Sequence, residues 1–415
     1  MPRLNHGEIV TLFLALGILL ASARALGEAA RRFGVPAVIG ELFAGLLLGP
    51  TVLGVLAPSV AATIFPANGA APYALHGFTT VAVVFFLLVA GMEVDLSSVW
   101  RQGRTAVAVS AAGLFVPMAL GFAAGWIAPR ALGCEPHVSR GLFAAFFATA
   151  LSITALPLVA RVLMDLGIYR SELGTVVIAA AVLNDLAGWQ VFAVLLAMMP
   201  AGGGAHFELW LTLLLLAVFV VGLLSVGRRM IDRVLPWIQT RSSGPGGVLG
   251  FSMALALLGA AFTEWIGVHA IFGAFLVGVA IGDSAHLHDR TRQTLGEFVS
   301  FIFAPVYFAS IGLNVNFIRS FDAALVFWVL LIACVGKVFG CSIAALRCGM
   351  SPREAWSIGF AMNGRGAMEI ILGTLALQHG LIGERLFVAL IVMAVVTSLI
   401  SGPILRRLLR LTIPA

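Results

Sequence analysis

Residues 323–346 read AALVFWVLLIACVGKVFGCSIAAL, an apolar run long enough to cross a bilayer as a helix, and Lys337 lies well inside it. Lys337 is the single lysine of the chain. An ionisable side chain at that depth is costly, and it is retained where it faces a cavity or a counter-charge. The sequence offers Asp185 as the partner, preceded by Asn184 in the apolar run 174–198. An ammonium and a carboxylate in two apolar segments indicate that ions or protons cross the membrane here.

The composition defines the broad class of protein. Hydrophobic residues make up 60% of the 415 residues and charged residues 11%, and the mean hydropathy is +1.05. These values predict an all-α polytopic membrane protein, and the 46 glycines fit closely packed membrane helices. The basic residues are scattered between apolar runs, so no nucleic-acid partner is expected despite a pI near 9.8.

Motifs for enzymatic chemistry are missing from the sequence. It contains no phosphate-binding glycine loop with lysine, no zinc signature and no nucleophile elbow. The four cysteines lack the spacing of a metal site. We therefore expect neither an enzyme nor a cofactor.

Apolar stretches bounded by charges or by glycine and proline predict about thirteen spans. With the N-terminus outside, five arginines fall in outer loops and the others lie on the inner side, apart from Arg365 inside a span. This asymmetry follows the positive-inside rule and places the C-terminus in the cytoplasm. The predicted spans are 8–25, 36–49, 78–92, 105–127, 140–163, 173–198, 207–227, 247–264, 268–282, 295–313, 323–346, 354–377 and 386–406.

The two halves of the chain resemble each other. Residues 35–49 match 268–282, residues 85–96 match 307–317, and a shift of 213 residues then pairs Arg140 with Arg353 and Asp185 with Ser398. Spans 2–6 therefore correspond to spans 9–13. Because the partners are an odd number of spans apart, the second copy is inverted relative to the first. Inverted repeats of this kind are typical of secondary transporters with a site near the bilayer midplane.

Asp185 is the candidate ion-binding residue. A carboxylate at that depth can bind a dehydrated monovalent cation or hold a proton, and the exclusion of one by the other is a simple basis for exchange. The amide oxygen of Asn184 is a further candidate ligand. Lys337 is either a counter-ion to Asp185 or a proton carrier. The alternative for Asp185 is a purely structural partner of a buried cation.

Two spans of the repeat contain helix breakers at the same depth. Residues 149–157 (TALSITALP) place Ser152, Thr154 and a proline in span five, and residues 362–370 (MNGRGAMEI) place two glycines in span twelve. Broken membrane helices expose carbonyl groups and opposing dipole ends that suit an ion site. We expect Arg365 and Glu369, four residues apart, to form a structural ion pair at the second break.

Glu41 is the other carboxylate well inside a span, in the sequence GELFAG at 40–45. It is predicted either to line the path by which ions reach the site or to have a structural role at a helix packing face.

Several motifs together resemble one family. They are VIGELFAGLLLGP at 38–50, GMEVDL at 91–96, Asn184-Asp185, GLN at 312–314, Gly336-Lys337 and NGRGAME at 363–369. In this order they resemble the monovalent cation:proton antiporter superfamily, the bacterial sodium/proton exchanger and potassium-efflux group. The resemblance covers the whole chain and implies the sodium/proton antiporter fold, with two crossed discontinuous helices, in the inner membrane.

The resemblance also implies an organisation. It implies a homodimer in which residues 1–104 and 245–320 form a scaffold, residues 105–200 and 321–410 form a core that moves like an elevator, and a linker helix covers 205–230. Asp185 would alternate between cation and proton, with Thr154 lining its site. Members of the family that move net charge carry two adjacent aspartates with a lysine, whereas electroneutral members carry Asn-Asp with an arginine. This chain combines Asn-Asp with Lys337, and its single carboxylate favours one-for-one exchange.

The sequence leaves three functional hypotheses. The first is exchange of Na⁺ for H⁺, with K⁺ as the alternative cation and Li⁺ as another candidate. The second is a sodium-coupled organic anion transporter of similar fold, which would not need the buried Lys337. The third is a sensor or resistance protein that binds an ion without net transport and would not depend on Asp185. In each case we expect the protein to contact membrane lipid.

Overall fold

The computed structural model describes residues 4–33, 35–93, 103–169, 171–197, 209–241, 246–284 and 286–409. In these residues the regular structure is helical, and an isolated bridge joins Cys134 to Ile382. The prediction of an all-α protein is confirmed. Residues 94–96 of the motif at 91–96 lie outside the described residues.

Ten helices in the described part of the chain are long and apolar enough to span a membrane, and three shorter apolar helices accompany them. The ten long helices and the three short ones fall on the thirteen predicted segments. The chain is therefore a multi-pass membrane protein. The three short helices are Arg140–Ala150, Ala270–Gly282 and Ala367–Gln378.

The chain divides into two compact units, and unit 1 comprises Met1–Asp95 and Ala201–Arg319. A short helix, α16 (Phe317–Ser320), lies at its boundary with unit 2. The helices of unit 1 are α1 (His6–Arg32), α2 (Ala37–Leu48), α3 (Leu53–Leu56), α4 (Pro58–Ile64), α5 (Ala70–Met92), α10 (Leu209–Gly222), α11 (Arg228–Arg241), α12 (Gly246–Trp265), α13 (Ala270–Gly282), α14 (Asp289–Phe298) and α15 (Ala304–Leu313).

Glycines let the helices of unit 1 touch through their backbones. A Cβ atom added to Gly45 on α2 would overlap the carbonyl of Ala309 on α15. A Cβ atom on Gly278 of α13 would likewise overlap the carbonyl of Leu88 on α5. Such contacts supply the close van der Waals packing on which membrane helices depend.

The predicted span at 207–227 belongs to a longer helix than the sequence suggested. A π-helical turn, Leu223–Gly227, joins α10 directly to α11, so the helical segment continues to Arg241. The added part is held because Ile231 and Leu235 are buried in the core of unit 1.

Unit 2 comprises Leu96–Pro200 and Ser320–Ala415. The shift of 213 residues relates three pairs of its helices within two residues at each end: Arg140–Ala150 with Pro352–Met362, Leu156–Asp165 with Ala367–Gln378, and Glu172–Ala197 with Glu384–Leu409. The assignment of scaffold, core and linker roles stays a prediction. The helices of unit 2 are α6 (Gly103–Ile127), α7 (Arg140–Ala150), α8 (Leu156–Asp165), α9 (Glu172–Ala197), α17 (Ala323–Arg347), α18 (Pro352–Met362), α19 (Ala367–Gln378) and α20 (Glu384–Leu409).

Candidate functional site

Two discontinuous helices meet in unit 2, as the sequence predicted. Helix α7 stops before residues 151–155 and α8 begins at Leu156, with Pro157 in its first turn, where the missing N–H of proline is harmless. Helix α18 stops before residues 363–366 and α19 begins at Ala367. The N–H of Ala155 donates to the carbonyl of Gly364 at 3.0 Å, so the two breaks are in direct contact.

A side chain reinforces this contact. The Thr154 hydroxyl donates to the carbonyl of Met362 at 3.2 Å, and Thr154 is fully buried. Met362 is the last residue of α18, where a helical carbonyl has no intrahelical donor. Thr154 therefore supplies a hydrogen-bond donor to a carbonyl that the helix break leaves without one.

Arg365 donates hydrogen bonds to carbonyls at the C-terminal end of α7, the first part of the other broken helix. Its guanidinium is fully buried and donates to the carbonyls of Ala150 at 3.1 Å and Ile153 at 3.5 Å, and also to that of Leu151. These carbonyls lie at the C-terminal end of α7 and in the break just after it, where the helix dipole is negative. The arginine thus places a positive charge at the negative end of the α7 helix dipole.

Glu369 caps the helix that follows Arg365. Its Oε2 atom accepts a hydrogen bond from the N–H of Gly366 at 2.7 Å, at the positive N-terminal end of α19. Its Oε1 atom lies 4.0 Å from Nη1 of Arg365, at the outer limit of an ion pair. The predicted pair is present at this distance, but each partner also neutralises the end of a broken helix.

Lys337 connects three elements of unit 2. Its buried ammonium donates to the carbonyl of Gly113 on α6 at 2.9 Å, to the carbonyl of Ser152 in the first break, and to Oδ1 of Asn184 on α9 at 3.2 Å. Three acceptors match the three N–H donors of an ammonium group. A charged group can therefore remain buried here without losing its hydrogen bonds.

The acceptor on α6 exists because of a proline. Pro117 lies inside α6 and has no N–H to donate to the carbonyl four residues earlier, which is that of Gly113. Gly336, next to Lys337, packs on Pro117, since a Cβ atom at Gly336 would lie 2.8 Å from Cα of Pro117. The proline therefore frees a carbonyl and the glycine brings the lysine helix close to it.

Asp185 follows Asn184 on α9 and is 2% exposed. It is the next residue after the amide that accepts the Lys337 hydrogen bond. The hydroxyl of Ser152 donates to the carbonyl of Ala148 at 2.6 Å. A hydroxyl that donates its proton keeps lone pairs for a cation, so Ser152 and Thr154 remain candidate ligands. We call Ser152, Thr154, Asn184, Asp185 and Lys337 the central cluster.

The candidate ligands of the central cluster are oxygen atoms. Among the residues that the structure describes, no three histidine, cysteine or carboxylate side chains come together as a transition-metal site would require. The central cluster instead offers one carboxylate with neutral amide, hydroxyl and carbonyl oxygens. Oxygen ligands of this kind suit hard cations.

Glu41 lies in unit 1 and does not belong to the central cluster. It is 2% exposed on α2, and its Oε2 atom is buried without a hydrogen-bond donor among the described residues. The hypothesis that it lines an ion path stays a prediction.

Sequence reasoning did not single out two contributors to the site. One is the carbonyl of Gly113, which a proline at position 117 could have indicated. The other is Ser398, whose hydroxyl donates to the carbonyl of Arg365. Ser398 is the repeat partner of Asp185, so the repeat alignment carried a usable signal for it.

Comparison with known proteins gives the class of this molecule. Residues 15–411 match the family "Sodium/hydrogen exchanger, transmembrane". The Na(+)/H(+) antiporter NhaS4 of Synechocystis is 30% identical over 95% of this chain and 97% of its own length. The Na(+)/H(+)-K(+) antiporter GerN of Bacillus cereus is 26% identical over 95% of each chain. This chain spans about half the length of several other curated relatives, the cation/H(+) antiporters of Arabidopsis thaliana.

The fold agrees with a solved structure. The sodium proton antiporter MjNhaP1 from Methanocaldococcus jannaschii superposes with a TM-score of 0.65 over 97% of this chain and 99% of its own, at 16% identity. The two proteins therefore share the same all-helical fold. The chain belongs to the sodium/hydrogen exchanger family, within the monovalent cation:proton antiporter superfamily.

Proposed function

We propose that this protein is a secondary antiporter that exchanges a monovalent cation for H⁺, with Asp185 binding the cation and the proton in turn. The observation that carries the proposal is the buried carboxylate of Asp185 directly after Asn184, whose amide binds the same Lys337 ammonium as the carbonyl of Ser152 in the first helix break. The names of the relatives NhaS4 and GerN, both antiporters, support the same conclusion.

Competition at Asp185 would couple the two ions. A protonated carboxyl group is neutral and a poor ligand, whereas an ionised carboxylate attracts a dehydrated cation through the low-dielectric interior. Lys337 adds a second competitor, because its ammonium already occupies the amide oxygen of Asn184. A cation that takes this oxygen must displace the lysine, whose charge would otherwise compensate the empty site.

Na⁺ is the first candidate cation and K⁺ the second. The small hard Na⁺ fits a site built from one carboxylate and few neutral oxygens. K⁺ is kept because the printed name of GerN includes both ions. The single carboxylate in the pair Asn184-Asp185 favours one cation for one proton.

The two units suggest how the site changes sides. We infer that unit 2, which holds the central cluster, moves as the core, and that unit 1 is the scaffold of a homodimer in the plasma membrane. The broken helices would travel with the core, since their ends are closed by Arg365, Glu369 and Thr154 from within the same unit. The N-terminus would lie outside and the C-terminus in the cytoplasm, following the arginine distribution.

The experiment is dissipation of an imposed pH gradient by purified protein in liposomes, with Na⁺, K⁺ and Li⁺ tested separately. We expect one cation to dissipate the gradient and Asp185→Asn to abolish the effect. The control is Asp289→Asn, which removes a carboxylate from the exposed first turn of α14 and should transport normally.

Other results would favour the other hypotheses. No response to any of the cations would contradict antiport and favour a sodium-coupled organic anion transporter, which is tested by anion uptake driven by a sodium gradient. A response that survives in Asp185→Asn would remove Asp185 from the mechanism.

A further inference from the structure

Glu41 is a buried acidic side chain that the proposed transport cycle does not use. It lies four residues after the start of α2, about 6 Å along the helix axis. It is 2% exposed, and its Oε2 atom has no hydrogen-bond donor among the described residues. An ionised carboxylate in such surroundings loses its hydration without replacement, and protonation removes that cost.

Helix α1 makes room for this side chain. A Cβ atom on Gly27 would lie 3.1 Å from Cγ and 3.3 Å from Oε1 of Glu41. A Cβ atom on Gly40, the residue before Glu41 in α2, would overlap the carbonyl of Leu26. The two helices therefore meet backbone to backbone beside the carboxyl group, where any added charge or water must push them apart.

In the described part of the chain, the charged groups found near Glu41 are two arginines of α1. Arg24 and Arg31 act on its charge, but Arg24 lies over the ring of Phe301 at 4.5 Å and Arg31 lies 4.0 Å from Glu28. Neither arginine is within ion-pair distance of Glu41 in the described structure. Helices α3 and α15, which also pack against α2, contribute no charged residue.

We propose that Glu41 is a second proton-binding site, located in unit 1 outside the central cluster, and that its protonation holds α1 against α2. The neutral carboxyl group fits the contact as it stands. Loss of the proton places a negative charge at the contact, which draws in water or one of the two arginines and loosens the helix pair. With the predicted topology the site lies near the inner end of α2, so it responds to pH on the cytoplasmic side.

The test is infrared pH titration of the full chain in lipid nanodiscs, following the C=O band of protonated carboxyl groups. It is performed in the Asp185→Asn background, so its result does not depend on antiport. We expect Glu41→Gln to remove one titrating band and Glu28→Gln, a matched exposed carboxylate on α1, to remove none. In the Asp185→Asn background the melting temperature should fall as pH rises, and Glu41→Gln should abolish that slope.

A second variant keeps the carboxyl group. Gly27→Ala crowds Glu41 without removing it, so the band should persist with a shifted midpoint. If Glu41→Gln does not fold, the shift in Gly27→Ala decides the question alone. An unchanged set of bands in Glu41→Gln, or an unshifted midpoint in Gly27→Ala, overturns the proposal. Either result leaves the antiport proposal untouched, because that rests on Asp185 and is measured by ion flux.

Discussion

The ammonium of Lys337 donates to the side-chain oxygen of Asn184 at 3.2 Å, which joins α17 to α9 at the residue before Asp185. The lysine therefore holds, by a hydrogen bond, the amide that directly precedes Asp185. Asn184 has only one side-chain oxygen, and its Nδ2 atom is buried without a partner among the described residues. The amide is fixed mainly by the lysine.

Lys337→Met should destabilise the protein because it leaves three buried acceptors without their donor. The expected loss is about 2–4 kcal/mol of unfolding free energy, reduced by the desolvation cost that the buried charge no longer incurs. A double-mutant cycle with Asn184→Leu should give a coupling of about 0.5–3 kcal/mol, as found for residues in one network. The measurement is denaturant or thermal unfolding of the four proteins in detergent. Additive effects would show that the bond contributes nothing.

Asn184→Asp should make transport sensitive to membrane voltage. The substitution places a second carboxylate within hydrogen-bond distance of Lys337, and this carboxylate can carry a second proton per cycle. The measurement is antiport in liposomes whose membrane potential is set by a K⁺ gradient and an ionophore, with Na⁺ as the transported ion. The wild type should give equal rates at both potentials. Equal rates in the variant as well would contradict the idea that carboxylate number sets stoichiometry.

Arg365→Lys should fail to replace the arginine. The planar guanidinium reaches the carbonyls of Ala150, Leu151 and Ile153 together, whereas an ammonium is a compact point charge on a different stem. Removing one partner from such a buried network costs about 3–5 kcal/mol, so we expect a large fall in melting temperature and in the monodisperse fraction.

Glu369→Gln is the matched comparison for Arg365. Glutamine keeps an oxygen that can accept from the N–H of Gly366, so only the charge is lost. We expect a smaller loss of stability than in Arg365→Lys. The reverse order would show that the ion pair, and not the closure of the α7 end, is the main role of Arg365.

Much of this site could be predicted from the sequence because helix breakers and buried charges are local signals. Pro157, Gly364 and Gly366 indicated the two breaks, and the structure has helix ends at both places. Lys337 and Arg365 stood out because charges are rare in apolar runs. The fold class was predicted correctly for the same reason, since apolar length and arginine placement are properties of each segment alone.

The acceptors of those charges could not be predicted in the same way. They are backbone carbonyls, which every residue has, so the choice of Gly113 and of the α7 end depends on which helices pack together. The sequence also did not predict that α10 continues into α11. Many residues of α11 are polar, so the two apolar residues that it buries, Ile231 and Leu235, do not stand out. Tertiary packing decides both features, and a single sequence records it only weakly.

Gly45→Ala should destabilise unit 1 although the change is one methyl group. The new Cβ atom would overlap the carbonyl of Ala309, and backbone cannot move aside as a flexible side chain can. Overpacking of this kind costs about 1–3 kcal/mol or more. Gly77→Ala is the control, because nothing lies within 4 Å of its added Cβ atom and alanine favours the helix by up to about 1 kcal/mol. Equal melting temperatures for the two variants would contradict the backbone contact between α2 and α15.

Pro117→Ala should keep or raise the stability of the protein while slowing its transport. Alanine restores an N–H that can bond the carbonyl of Gly113 within α6, so this carbonyl then has a second donor competing with Lys337. Because proline inside a helix costs about 3 kcal/mol relative to alanine, the variant should fold at least as well as the wild type. We expect its rate of cation-dependent proton flux to fall by about tenfold, the effect of weakening one hydrogen bond to a charge by roughly 1.4 kcal/mol.

Pro403→Ala provides the control for this prediction, because Pro403 also lies inside a helix of unit 2 and frees the carbonyl of Leu399. It should gain stability in the same way without altering Lys337, and its flux should stay near that of the wild type. Both fluxes are measured in liposomes with matched protein content. If Pro117→Ala transports as fast as Pro403→Ala, the carbonyl freed by Pro117 has no part in positioning the lysine, and Ser152 and Asn184 alone hold the ammonium.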